Sequence, residues 1–354
     1  MNNSVLALAV SGSNLYAGGE FTTAGGVSAK YIAKWNGSSW SALGSGMNDR
    51  VHALAVSGSS LYAAGYFTTA GGVSANYIAK WNGSSWSALS SGMDAWPLAL
   101  AVSGSDLYAG GAFTTAGGVS AKYIAKWNGT SWSALGFGTG TSDGAPPYVY
   151  ALAVSGSDLY AGGLFTTAGG VSANYVAKWN GSSWSALGSG MSFYVYVLAV
   201  SGSELYAGGN FTTAGDYTTQ LNHIAKWDES SWSALGSGMN NNVEALAVLG
   251  SELYAGGGFT TAGGKVSGYI VRAVLGDAPG YNQLAGAPLS EGAMQFSYIG
   301  YPATNYALDR AFDLASPMNW VGQETNTMTV SGVLMFTNAP APGTNNFWRV
   351  RSVP

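Results

Sequence analysis

Short apolar runs alternate with clusters of Gly, Ser, Thr and Asn along the first three quarters of the chain. The first stretch shows the pattern. Val5–Val10 (VLALAV) reads as a strand, Ser11 to Asn14 as a turn, and Leu15–Phe21 (LYAGGEF) as a second strand. A Gly-rich loop leads to Tyr31–Trp35 (YIAKW), a third strand. Asn36-Gly37-Ser38-Ser39 is a hairpin loop, in which Asn-Gly supplies the positive φ that such loops need. Trp40–Leu43 (WSAL) closes the unit as a fourth strand. No segment sustains a 3.6-residue apolar period, so helices are not predicted.

The unit then repeats. The marker Leu-Tyr-Ala recurs at Leu15, Leu61, Leu107, Leu159, Leu205 and Leu253, at intervals of 46, 46, 52, 46 and 48 residues. Four-stranded propeller blades have periods of about 40–50 residues. The pattern therefore predicts an all-β, six-bladed β-propeller over residues 1–275, followed by a small β-sandwich over 276–354. Trp35 and Trp40 flank the hairpin loop and should face each other across adjacent strands as a stacked pair. The pair recurs as Trp81/Trp86, Trp127/Trp132, Trp179/Trp184 and Trp227/Trp232. Bulk at this position suits the wide wedge between outer parts of neighbouring blades. The Ala-rich first strand and Gly18-Gly19 suit the crowded region near the axis.

An apolar run, Gly-Gly, then an aromatic and a Trp a few residues apart, recurring near every 46 residues, resembles the kelch-type propeller repeat over about residues 1–275. Gly18-Gly19 and Trp40 stand at the matching positions, as do their equivalents in copies two to five, with Ala64-Gly65 in copy two. The resemblance implies a fold and leaves function open, because such propellers serve many functions. Copy six departs from it. Gly256-Gly257 remain, but the Trp pair is gone, and Tyr269 to Ala273 reads YIVRA with no fourth strand behind it. An open edge is a site for pairing with another chain. It can be filled by the tail beyond residue 275, by a segment upstream of Met1, or by a neighbouring molecule through β-augmentation.

Past Leu275, Gly276 to Gly280 reads as a linker. Strands are expected at Met294–Ile299, Asn305–Asp309, Met328–Phe336 and Phe347–Val353. The closing Phe347-Trp348-Arg349-Val350-Arg351 resembles the end of small β domains on secreted bacterial repeat proteins, where they serve export, attachment or assembly. At the other end, Met1-Asn2-Asn3-Ser4-Val5 matches Met239 to Val243, so the sequence opens inside a linker and an upstream segment, an export signal included, is expected.

Composition narrows the function classes. Charged residues are 8% and apolar residues 47%, with 13 Trp and 21 Tyr, so a core can be buried despite the low charge. No apolar run approaches the roughly 18 residues of a spanning helix. A net charge of −4 without a basic block argues against nucleic acid. There is no Cys, and the two His lie in different repeats. Serines sit in Gly-Ser turns, their ordinary place. Asp106, Asp158, Glu204 and Glu252 share one turn position and read as solvated turn residues, too far apart to hold one ion. The sequons at Asn36, Asn82, Asn128 and Asn180 follow from the hairpin loop. No helix follows any Gly-Gly pair, so none forms a phosphate loop. Neither an enzyme nor a cofactor or metal site is expected.

The copies differ where the chain approaches each first strand. One position reads Ser4, Arg50, Trp96, Tyr148, Tyr194 and Asn242; two residues on, it reads Leu6, His52, Leu98, Tyr150, Tyr196 and Glu244. Positions two apart on a strand share a face. The insertions before Tyr148 and near Asp216 to Gln220 fall in loops of the same rim. Arg50, His52, Trp96, Tyr148, Tyr150, Phe193, Tyr194, Tyr196 and Glu244 are therefore the candidate binding residues at one mouth of the channel. Two readings follow: a self-assembling extracellular or cell-surface structural protein, as a homo-oligomer or polymer, or a propeller binding glycan, surface matrix or protein through its aromatic rim. An acid–base enzyme would have to draw on His52 and Glu244, in different repeats.

Overall fold

A computed structural model describes residues 1–136, 138–142 and 144–275, and beyond them 284–288, 294–299, 305–311, 321–327, 333–338 and 347–353. These residues hold strands, turns and no helix, so none forms a helix long and apolar enough to cross a membrane. The chain divides into two compact units, Met1–Ala273 and Val274–Pro354.

The first unit is a series of antiparallel sheets in the arrangement of a β-propeller. Five repeats each form a four-stranded sheet, and the last repeat, among the described residues, a three-stranded one; smaller two- and three-stranded sheets lie in the loops. In the first sheet Val5–Ser11 pairs with Asn14–Gly19, which pairs with Ile32–Trp35, which pairs with Trp40–Ala42. Each first strand packs beside the first strand of the next repeat. Trp35 lies directly opposite Trp40, with ring centres 5.5 Å apart. The rings are tilted by 47° instead of stacked. The fourth-strand Trp reaches back to the preceding repeat. Trp86 Nε1 donates to the Leu43 carbonyl, Trp132 to Leu89, Trp184 to Leu135 and Trp232 to Leu187, at 2.9–3.3 Å. The indole thus fills the wedge between sheets with its one polar atom satisfied. The cores lie accordingly between consecutive sheets: Leu43 and Met47 of the first repeat share a cluster with Val51, Phe67 and Trp86 of the second.

The two glycines ending each second strand meet different neighbours. A Cβ on Gly19 would lie 2.1 Å from the Ser4 carbonyl oxygen within its own sheet. A Cβ on Gly18 would lie 2.6 Å from Cγ1 of Val51 in the next sheet. Gly110, Gly162 and Gly208 receive Val149, Val195 and Val243 in the same way. The exception, Ala64, coincides with Pro97 standing where the next repeat would carry that valine.

Three local features depart from the sequence reading. The Gly-rich loop contains a small hairpin, Thr23–Ala24 with Val27–Ser28, turned by Gly25-Gly26 at φ 54° and 81°. Two successive positive φ values make the tight turn that matches strand twist. Tyr31 is not in the third strand; it holds φ 64°, as do its counterparts Tyr77, Tyr123, Tyr175 and Tyr269 within a few degrees. The acidic turn residues are also not merely solvated. Asp106, Asp158, Glu204 and Glu252 pair with Lys126, Lys178, Lys226 and Arg272 on the adjacent strand at 2.5–2.9 Å. The period-2 pattern placed both partners on one face, but each pair is about a third exposed and worth little stability.

The hairpin loop behaves as its sequence implies. The Asn36 side-chain oxygen accepts from the Ser38 and Ser39 backbone N–H groups at 2.9 and 2.8 Å. Asn82, Asn128 and Asn180 do the same, and Asp228 replaces them in the fifth copy.

In the second unit, the described strands form two three-stranded antiparallel sheets. Leu284–Pro288, Met294–Ile299 and Val333–Asn338 make one; Val321–Thr327, Asn305–Ala311 and Phe347–Val353 make the other. Leu284–Pro288 and Val321–Thr327 were not among the expected strands, since Gly and Pro in one and a polar run in the other mask the alternation. The expected linker at 276–280 and the start of the strand expected from Met328 lie outside the described residues.

Candidate functional site

The mouth residues sit on a repeated backbone irregularity. In the second sheet Val51 pairs with Gly65 and Ala53 with Ala64, which leaves His52 as the extra residue of a β-bulge. Leu6, Leu98, Tyr150, Tyr196 and Glu244 occupy the same bulge in their sheets. A bulge frees one residue from the ladder and re-aims its side chain. The residue after Gly-Gly is tied to the same place: the Tyr66 N–H donates to the Arg50 carbonyl at 3.0 Å.

These constraints bring most of the expected residues around one cavity of about 650 Å³, lined by His52, Tyr66, Trp96, Leu98, Tyr148, Tyr150, Tyr196, Asn242 and Glu244. Arg50, Phe193 and Tyr194 are not in its wall; each packs behind it. The Arg50 guanidinium lies 4.2 Å above the Tyr66 ring and pairs with Glu20 at 2.9 Å. Tyr194 sits 6.4 Å from Tyr196 between ring centres, and Phe193 stacks on Tyr194 at 3.9 Å. Tyr66 was missed by the sequence reading. It stacks on Trp96 at 4.4 Å and lies 5.0 Å from His52. The signal was present, because its position reads Glu20, Tyr66, Ala112, Leu164, Asn210 and Gly258 and varies as the mouth does. Across the cavity wall Tyr148 and Tyr150 are parallel within 1° at 5.9 Å, with Tyr196 edge-on to Tyr150.

Burial favours the neutral forms of Tyr150 and His52. It pushes the Tyr150 hydroxyl up to about 12, helped by the neighbouring tyrosines Tyr196 and Tyr148. Burial first, and the Arg50 charge second, hold His52 below the ordinary imidazole value, and its buried Nε2 has no hydrogen-bond partner among the described residues. His223 is also held low by burial, against the opposing pull of the Gly209 carbonyl near Nδ1. Both folded values thus lie below the unfolded value near 6.5, so the unfolded chain binds more protons as pH falls through that value. The stability these neutral imidazoles contribute is complete above about pH 6.5 and is lost on acidification. Calorimetry should show the melting temperature falling between about pH 7 and pH 5, with a flatter slope in the His52→Gln/His223→Gln chain.

A second feature is a seam between the first and sixth repeats. Val51, Val149, Val195 and Val243 are fully buried against the preceding sheet, but Val5 is 41% exposed. Leu8 and Val10 on the same strand are 61% and 67% exposed, and Ile270 on the sixth sheet's edge strand 66%. The slot glycine Gly256 meets no atom within 3.6 Å of a built Cβ, its nearest being Tyr269 O at 3.7 Å. Among the described residues Trp40 has no carbonyl partner for its indole, unlike the other four fourth-strand tryptophans. The two faces line one cleft of about 580 Å³, running from Val5–Leu8 to Ala245, Ala247 and Ile270.

No family model matches the sequence, and no curated protein matches it. Among solved structures, one described as YCF48 bound to D1 peptide is 13% identical, with a TM-score of 0.46 over 96% of this chain and 94% of that one.

Proposed function

We propose that the chain is a secreted, non-catalytic structural protein that self-assembles into a surface layer or extracellular filament. On this reading residues 1–275 are a six-bladed propeller of kelch-type repeats, and 276–354 form a β-sandwich for attachment or assembly. The observation that carries the reading is the seam. It presents two faces that pair at every other junction of the repeat array, together with a strand, Ile270–Val274, that ends its sheet among the described residues where five repeats add a fourth strand. A strand donated by a neighbouring copy would extend that sheet by main-chain hydrogen bonds. It would also bring a carbonyl to Trp40, in the role Leu43, Leu89, Leu135 and Leu187 play for the next Trp. Low net charge, −4 over 354 residues, offers little repulsion between copies.

Electron microscopy and light scattering of the native chain test this. Regular filaments or arrays are expected. Ile270→Lys, which charges the exposed edge, and Val10→Lys, which charges the opposing face, should each give dispersed single particles with an unchanged melting temperature. Dispersed particles of the unsubstituted chain at every concentration tested would overturn the reading.

A further inference from the structure

We infer that the aromatic mouth is a binding site for an uncharged carbohydrate, at least two sugar rings long. The inference does not rest on assembly. Its first ground is shape. The cavity, about 650 Å³, lies within the range of about 300–1,000 Å³ typical of small-ligand sites. Its second ground is the arrangement of flat faces. Tyr66 and Trp96 stack on one side and Tyr148 and Tyr150 on another, which makes two separate aromatic platforms. Trp96 keeps 36% of its surface exposed although one face is covered by Tyr66. The C–H face of a pyranose is apolar and packs on an aromatic ring, while its rim of hydroxyls seeks polar partners. Aromatic side chains with one polar handle supply both.

The third ground is charge. Among the described residues no Lys or Arg lines the cavity. Arg50, behind the wall, is held over Tyr66 and paired with Glu20. A phosphate or uronate would meet Glu244 and no cation among these lining residues. Glu244 and Asn242 instead suit hydroxyls, the carboxylate as acceptor and the amide as both donor and acceptor.

The variation between copies agrees. The bulge that carries Tyr150 and Tyr196 carries Leu6 in the first repeat, and no residue of the first repeat lines the cavity. The site is thus one asymmetric pocket built by the second to sixth repeats, not a ring of equivalent sites.

The test is isothermal titration of the full chain with a panel of uncharged trisaccharides: maltotriose, cellotriose, laminaritriose and chitotriose. At least one should bind, and Trp96→Ala or Tyr148→Ala should each weaken it by about tenfold or more. Glu244→Gln, a smaller change on the pocket wall, keeps the test valid should an aromatic variant fold poorly; it should also weaken binding severalfold. Ile270→Lys should bind as the native chain does, so this inference and the assembly reading fail separately. No binding by any of the four sugars at about 10 mM would overturn the inference, as would binding unchanged in the Trp96→Ala/Tyr148→Ala chain. Retention of peptides and no sugar on a mixed array would also overturn it and make the mouth a protein-docking surface.

Discussion

Replacing Trp184 by Ala should cost about 3–5 kcal/mol of stability, whereas the same change at Trp40 should cost less than half as much. The sequence around the two residues is nearly the same, so local propensity cannot separate them. Their surroundings can. Trp184 is 5% exposed, packs in a cluster shared by the third and fourth repeats, and donates to the Leu135 carbonyl at 2.9 Å. Its loss opens a cavity between two sheets and orphans a carbonyl. Trp40 packs against a cluster of its own repeat only, Ala17, Phe21, Ala24, Ala29 and Ala33, with no preceding repeat to receive its indole N–H among the described residues. Urea denaturation of dispersed protein measures both. Equal losses would mean that the first repeat is covered as the others are, and the seam would not exist in solution.

The repeat made the fold legible. A Leu-Tyr-Ala marker, an Asn-Gly loop and a Trp pair at fixed offsets place the strands, and the register Trp35 to Trp40 follows from a hairpin loop of fixed length. What the copies share is what local pattern can reveal. Features that depend on the next sheet were not legible. A Trp reads as a cross-strand partner, and nothing in its own repeat says that its indole bonds to a leucine carbonyl 43 to 49 positions earlier. The bulge at His52 was hidden for another reason: alternation by two treats Arg50 and His52 as one face, and the extra residue breaks that count without changing composition. Six of the nine expected residues line one cavity all the same, because variation between otherwise similar copies groups them independently of backbone geometry. Tyr66 lies outside the approach to the first strand, just past the second strand, where the copies vary in the same way. In the tail, with no second copy for comparison, two strands escaped.

The glycine pairs give the sharpest contrast along the array. Gly162→Ala should destabilise the chain by about 1–3 kcal/mol, because the new methyl would stand 2.6 Å from Val195 Cγ1 in a packed junction. Gly256→Ala, the same substitution at the same place in the sixth repeat, should cost nothing by crowding, with 3.7 Å to its nearest neighbour. One residue further on, the contrast should vanish. Gly163 and Gly257 would place a methyl 2.0 and 2.1 Å from the carbonyl oxygens of Tyr148 and Asn242. Those contacts lie within a sheet and do not depend on a neighbouring repeat, so Ala should be costly at both. Four single variants, followed by thermal melting at a concentration where the chain is dispersed, separate crowding between sheets from crowding within one. A cost at Gly256 equal to that at Gly162 would place a side chain in the slot and close the seam. If instead Gly256→Ala melts normally but no longer assembles, the slot is filled only when copies meet, and the valine that fills it belongs to a neighbour.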